Sequence, residues 1–335
     1  MPNVAIIGAG MAGLSALQEL NRQGCQVTVF DKSRGSGGRL ATKKVNEASW
    51  DMGAQFIKAN TDSFADQLAL WHQQGWIEPW DITPWKIRAD EQSPSPDNSQ
   101  RYVATPRMTA LSRQLLKAAH QFNTETRISQ CQHNGQHWGL HDDHGEQYEG
   151  FDAVVVAIPP QQAATLLNNS DSSLAQHCQG KMLPCWTLLL ALDTPVDTPW
   201  DAAFVEDSPI AWLSRNNSKP QRQPQEAWVI QANHRWSQQH CDTNRTQVQT
   251  ELLTAFEALT GVTPDRITEH WLHRWLYAVP EQAQTNGYHL DSHQALAVCG
   301  DWLKASSVEG AWLSGQEAAQ ALLKRLPIHH HGATA

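Results

Sequence analysis

The chain has 335 residues, of which 40% are hydrophobic and 18% charged, with a formal net charge of -9. That length exceeds one small core and suits two interleaved domains, and the acidic balance argues against nucleic acid or an anionic membrane as partner. Six cysteines without C-x-x-C or metal-type spacing predict free thiols in a reducing cytoplasm, and no uninterrupted apolar run is long enough to span a bilayer.

The N-terminus carries no basic stretch and its apolar run is broken by glycines, so it reads as strand and helix rather than signal peptide. Residues 4–7 form a short Val/Ile-rich strand that ends in Gly8, Ala9, Gly10, Met11, Ala12 and Gly13. In a G-x-G-x-x-G turn the first glycine permits the tight bend and the second lets a pyrophosphate approach. The third allows the next helix to pack on the strand. Leu14, Leu17 and Leu20 recur at helical spacing, Gly24 ends that helix, and residues 26–30 form a second strand closed by Asp31 and Lys32. Unpaired N–H groups at the helix start attract phosphate, and a carboxylate about 20 residues on accepts from ribose hydroxyls. This is a dinucleotide site, and the residues to this point leave NAD and FAD undistinguished.

The run DKSRGSGGRLAT follows from Asp31, with WDMGAQF at 50–56. Gly37 and Gly38 permit a backbone turn, Arg39 adds a planar cation suited to diphosphate, and Asp51 and Gly53 shape the next turn. Residues 62–76 predict a helix, 80–101 a hairpin with a mobile tip, and 105–119 a helix with Leu111, Leu115, Leu116 and Ala119 on one face. Residues 126–149 predict a small meander with turns at Asn134-Gly135 and His144-Gly145, and 151–160 a buried strand ending in two prolines. Beyond it, strands are expected near 186–192, 227–232 and 266–277, with a helix at 248–260. Read as a strand, 271–277 puts Trp271, His273, Trp275 and Tyr277 on one face and Leu272, Arg274 and Leu276 on the other. Residues 296–298 end a strand followed by Gly300 and Asp301, and 308–313 open a helix through Gly315, Ala318, Ala319 and Leu322. Residues 329–335, with three adjacent histidines, read as a tail whose metal binding would be adventitious.

The three separated segments, Gly8 to Asp31, Gly38 to Phe56 and Gly300 to Gly315, resemble the flavoprotein group that includes amine oxidases, phytoene desaturases and protoporphyrinogen oxidase. That resemblance implies FAD, held without a covalent link because Cys299 precedes Gly300 rather than sitting in the sequence used for tethering. It places Arg39 at the diphosphate and the backbone of Gly53, Ala54, Gln55 and Phe56 at the flavin ring. Asp301 falls near the ribityl or pyrophosphate part, and Val308, Glu309, Gly310 and Ala311 begin a helix beneath the pyrimidine, whose dipole favours an anionic reduced ring. Family members often carry a Gly-Gly-Met turn before the 105–119 helix; here Pro106 and Arg107 replace the glycines. The implied fold is α/β: a Rossmann-type FAD-binding domain interleaved with an α+β substrate domain on a mixed or antiparallel sheet, as in p-hydroxybenzoate hydroxylase-like and amine oxidase-like proteins. The expected division gives 1–57, 102–160 and 291–328 to the first domain and 58–101 and 161–290 to the second.

Two further runs, WLSRNNSKP at 212–220 and HRWLYA at 273–278, resemble renalase-like proteins. That resemblance implies an oxidase of dihydronicotinamide dinucleotides whose hydride sits at ring position 2 or 6. Such an enzyme yields NAD(P)+ and passes electrons to dioxygen to give hydrogen peroxide. No side chain is expected as catalytic acid or base. Trp275, Tyr277 and His273 are candidates for the substrate pocket, and Arg215 and Asn216, with Lys219, would meet the substrate diphosphate or edge a solvated turn. A flavin amine oxidase and a non-catalytic FAD-binding redox sensor are the competing functions.

Overall fold

The computed structural model describes residues 1–327 other than Glu47 and Asp90; the expected tail and its histidines lie outside the described residues. The chain divides into two compact units, Met1–Gly38 with Ser112–Lys181 and Pro280–Ala335, and Arg39–Leu111 with Met182–Val279.

The first unit is built on a six-stranded sheet. Strands Ala153–Val156, Asn3–Ile7 and Gln26–Phe30 are adjacent and parallel, with Gln121–Asn123 beyond one edge and Leu296–Cys299 beyond the other. Tyr288–Asp291 closes the sheet antiparallel. The central strands are fully buried Val, Ile and Ala, as a parallel sheet covered on both faces requires. Helices Met11–Arg22 and Val308–Leu323 pack so closely that a Cβ on Gly315 would lie 2.1 Å from the Ala12 carbonyl, and the Ser15 hydroxyl donates to the Trp312 carbonyl at 2.7 Å. This contact brings the third motif against the first. The expected meander is present as Ile128–His133, Trp138–Asp142 and Gln147–Phe151, with Gly135 and Gly145 in the left-handed conformation at its turns.

The second unit holds a seven-stranded mixed sheet in the order Ile267–Pro280, Met182–Leu192, Ala227–Ala232, Ile210–Arg215, Ala202–Glu206, Trp85–Arg88, Glu91–Pro94. A parallel pairing sets Ala202–Glu206 beside Trp85–Arg88, so the expected hairpin extends the sheet. Two-residue alternation sorts the strands onto two faces. One buries Leu188, Leu190, Leu213, Trp228, Ile230 and Leu272 under Val248, Leu252 and Phe256 of helix Arg245–Thr260. The other packs Leu189, Ala191 and Val229 against Ala48 and Trp50 of the hairpin Thr42–Val45, Ala48–Asp51.

That second packing moves the boundary. Residues 39–57, expected with the cofactor domain, lie in the second unit. The physical reason is long-range: Trp50 is fully buried, and its indole N–H donates to the Leu190 carbonyl at 2.9 Å. The helix expected from 105 begins at Met108 and ends at Leu116, and residues 112–181, rather than 102–160, complete the first unit.

Candidate active site

In the first unit the Gly8–Gly13 turn has the shape of a phosphate cradle. Gly8 has φ +108°, and a Cβ there would meet the Ala157 carbonyl at 2.5 Å; a Cβ on Gly13 would lie 2.0 Å from the Gly8 carbonyl. A Cβ on Gly10 would meet nothing within 4 Å. Gly10 caps helix Met11–Arg22 without a side-chain hydrogen bond, and no acidic residue occupies the first turn. The helix therefore offers N–H groups and a partial positive charge to open space beside Gly10. Asp31 is held in place by the N–H groups of Ala9 and Ser33, both at 2.8 Å, which leaves lone pairs for a diol. Gly38 approaches the Gly10 Cα, and the Gly37 N–H donates to the Ala9 carbonyl at 2.8 Å, so the glycines of the second motif border the same cradle. Lys32 lies on the exposed side, 3.4 Å from the Gln162 amide oxygen.

Gly300 donates its N–H to the Ser314 hydroxyl at 2.8 Å. Asp301 is buried in the turn that follows, and Ser307 caps helix Val308–Leu323 through the Gly310 N–H. Glu309 is buried in the first turn, and Ala311 is buried behind it. Cys299 is fully buried and burial pushes its thiol up to about 12; such a thiol is inert toward a covalent link. Open space at an uncapped helix start, a positioned carboxylate and an unreactive cysteine all fit a non-covalently bound dinucleotide.

In the second unit several of the residues expected near the flavin ring and the substrate, Arg39, Gly53, Ala54, Gln55 and Trp275, belong to one hydrogen-bonded group. Arg39 donates to the Ala278 carbonyl at 2.9 Å, and its own carbonyl accepts the Ala54 N–H at 2.8 Å. The Trp275 indole N–H donates to the Met52 carbonyl at 3.1 Å. Gln231 donates to the next carbonyl, Gly53, at 2.6 Å, and Gln55 donates to Gly53 at 2.9 Å. The 52–54 backbone is thus pinned from strands Ile267–Pro280 and Ala227–Ala232 together. Trp275 stands edge-on to His273, ring centres 4.4 Å apart, and Tyr277 follows on the same face, half-buried. Burial, then the Arg245 and Lys43 cations, lower the His273 pKa below its ordinary value, so the ring is neutral at pH 7. Lys43 lies over Trp271, 3.6 Å from the ring centre.

A charged cluster lies behind this turn that the sequence did not announce. Asp51 is completely buried. Its Oδ2 accepts from Arg222 at 2.7 and 3.1 Å and from Lys219 at 3.5 Å. Its Oδ1 accepts from the Met108 N–H at 3.0 Å and the Thr42 hydroxyl at 2.9 Å. Burial alone would raise the Asp51 pKa; the two cations and the Met108 N–H outweigh it and hold it below the usual carboxylate range. Burial brings Lys219 down to about 8 against the pull of Asp51. Lys219 also donates to Gln55 Oε1 at 3.1 Å and Asn216 Oδ1 at 3.3 Å.

Lys219 therefore edges no solvated turn. Asn216 is buried as well, accepting from the Asp51 N–H at 3.2 Å and donating to the Ser49 carbonyl at 2.8 Å; these internal bonds engage the amide expected at the substrate. Arg215 is set apart by strand alternation: Ser214 bonds Gln55 Oε1 at 2.9 Å, whereas Arg215 lies over Trp228 on the helix-covered face, beside Glu226 and Asp201. There it lines a separate cavity of about 460 Å³. Phe56 packs on Trp212, ring centres 5.6 Å apart, and the Trp212 indole N–H is buried with no acceptor among the described residues.

The sequence matches two family descriptions, an NAD(P)-binding Rossmann-like domain over residues 6–69 and a flavin-containing amine oxidoreductase over residues 98–323. A protein assigned as a flavin-containing monoamine oxidase in Mycobacterium tuberculosis is 44% identical over 61 residues, which span 18% of this chain and 13% of that relative. Among solved structures, a protein assigned as a protoporphyrinogen oxidase from Exiguobacterium sp. 255-15 matches with TM-score 0.78 at 12% identity, covering 96% of this chain and 99% of the other. Cyclohexylamine oxidase from Brevibacterium oxydans matches with TM-score 0.73 at 13% identity, covering 96% and 99%. At such identities these two likenesses establish the fold alone. The family match spans most of the chain, and the cradle agrees with it: the cofactor is FAD, and the chain belongs to the flavin-containing amine oxidoreductases.

Proposed function

We propose that this chain is an oxidase that takes hydride from the 2- or 6-dihydro isomers of NAD(P), releasing NAD(P)+, with dioxygen as electron acceptor. Bound FAD would supply the two-electron acceptor for that hydride, and dioxygen, with one proton from solvent, would take up the pair and leave as hydrogen peroxide. The observation that carries the reading is the aromatic row of His273, Trp275 and Tyr277, fixed to the 52–54 turn through the Trp275 N–H. A dihydropyridine becomes an aromatic cation when it loses hydride, so no substrate proton has to be removed. The protein then has only to hold a flat ring in place and keep water away. The side chains at this turn are suited to that role. An indole, a phenol, an imidazole and carboxamides lie there, with the Arg39 guanidinium turned to the Ala278 carbonyl and the Asp51 cluster buried behind. The RNNSKP and HRWLYA runs support the same reading.

The family match to flavin-containing amine oxidoreductases over residues 98–323 keeps amine oxidation as the second reading, since an aromatic row also accommodates an alkylamine. Anaerobic mixing of the FAD-loaded protein with each dihydro isomer and with a panel of primary amines separates the two. Bleaching of the flavin by an isomer, reversed by air with peroxide release, is the expected result. Bleaching by amines alone would overturn the proposal.

A further inference from the structure

We infer that Gln231 selects a substrate bearing a primary carboxamide on its ring. The inference rests on the dihydronicotinamide reading above and names the residue that reads the ring substituent. The Gly53 carbonyl only accepts hydrogen bonds, so the Gln231 atom 2.6 Å from it is the amide nitrogen. The orientation of the side-chain amide is fixed, and Oε1 faces away from the turn. Gln231 is half-buried, and its Oε1 has no protein partner among the described residues.

Gln55, the other amide at this turn, differs. It is buried, its nitrogen donates to the Asp51 and Gly53 carbonyls, and its oxygen accepts from Ser214 and Lys219. Among the described residues, Gln231 Oε1 is a side-chain acceptor left open at the 52–54 turn.

Its place suits a ring substituent. Trp275 and Gln231 come from strands separated by Met182–Leu192, yet their side chains converge on consecutive carbonyls, Met52 and Gly53. Because the two side chains bond consecutive carbonyls, a flat ring lying along Trp275 would have an in-plane substituent within reach of Gln231. A carboxamide N–H satisfies Oε1. A carboxylate in the same place would set two acceptors against each other, in a half-buried site where water repairs the mismatch poorly.

The test uses the FAD-loaded protein and Gln231→Met, which keeps side-chain length and removes the amide. Gly53 retains the Gln55 N–H in this variant, so the turn keeps a donor. Flavin reduction is followed anaerobically with the dihydro isomers of NAD and with those of its deamido analogue, which carries a carboxylate instead. Binding of NAD+ and of oxidised deamido-NAD is measured alongside through perturbation of the flavin spectrum.

Wild type should prefer the carboxamide by about 10-fold in both readouts, and Gln231→Met should bring both ratios close to one. Preference retained in Gln231→Met, with only its flavin spectrum or FAD affinity altered, would mean that Gln231 contacts the cofactor and would overturn this inference alone. A wild-type flavin left unbleached by every isomer would overturn the functional reading and this inference with it.

Discussion

Asp51→Ala should destabilise the second unit by about 3–5 kcal/mol, the cost of removing one partner from a buried ion pair. Lys219 and Arg222 have side chains 0% and 1% exposed beside the carboxylate; without it, Arg222 would be a buried cation with no anion, and Lys219, which Asp51 helps to keep protonated, would give up its proton. The Met108 N–H and the Thr42 hydroxyl would lose their acceptor in the same step. Urea denaturation of the apoprotein reads the loss, and a midpoint within experimental error of wild type would show that the cluster relaxes into water. Lys219→Met should behave differently, costing less than about 1 kcal/mol. Arg222 still gives Asp51 two N–H groups, and the site passes from two cations and one anion to a single balanced pair. The same two residues thus separate a charge that is required from one that is tolerated.

Lys219 adds a pH dependence whose sign can be fixed. Its pKa is about 8 in the folded chain against an ordinary 10.5, so the folded chain releases this proton first. Between about pH 8 and 10.5 the unfolded chain holds more protons, and stability rises with pH through that window. Below pH 8 the full cost of burying the ammonium is present. Relative to Lys219→Met, wild type should gain stability from pH 8 to 10; a constant difference between the two would contradict the assigned titration.

What was legible in the sequence follows the range of the interaction. The Gly8–Gly13 cradle, the Asp31 that closes the second strand and the meander with its two Asn-Gly and His-Gly turns are set by neighbours a few residues away. Each emerged close to its expected place. The Asp51 cluster was hidden because its members lie 168 and 171 residues apart. Singly, Lys219 and Arg222 look like any solvated charge in a Pro-bounded loop. Strand Ala202–Glu206 carries two alanines and little β-branching, so its place in the sheet comes from its neighbours rather than its own propensity. Residues 39–57 group with the second unit for the same reason. Their glycines and arginine read locally as cofactor chemistry, while Trp50 and Asp51 commit them to a sheet far along the chain. Gln231 gave no signal at all, since nothing in AWVIQA distinguishes an amide facing a functional turn from one facing solvent.

Gly10→Ala should separate cofactor binding from folding. The cradle's three glycines have different surroundings, and only one of them faces open space. A Cβ on Gly13 would sit 2.0 Å from the Gly8 carbonyl and one on Gly8 2.5 Å from the Ala157 carbonyl, so alanine at either place forces backbone apart at a cost of about 1–3 kcal/mol or more. Gly10 has φ -78° and ψ 178°, a conformation any residue adopts, and an added methyl meets no protein atom within 4 Å. Its methyl would instead occupy the approach to the unpaired N–H groups of helix Met11–Arg22, where the diphosphate has to sit. The urea midpoint of the Gly10→Ala apoprotein should therefore match wild type, while FAD affinity falls by roughly 10- to 100-fold, the same 1–3 kcal/mol now charged to the ligand. Gly13→Ala should lower both. Full FAD affinity in Gly10→Ala would place the diphosphate elsewhere and remove the physical basis for reading this turn as its cradle, whereas loss of stability in Gly10→Ala would mean that the space beside the helix start is filled by the protein itself.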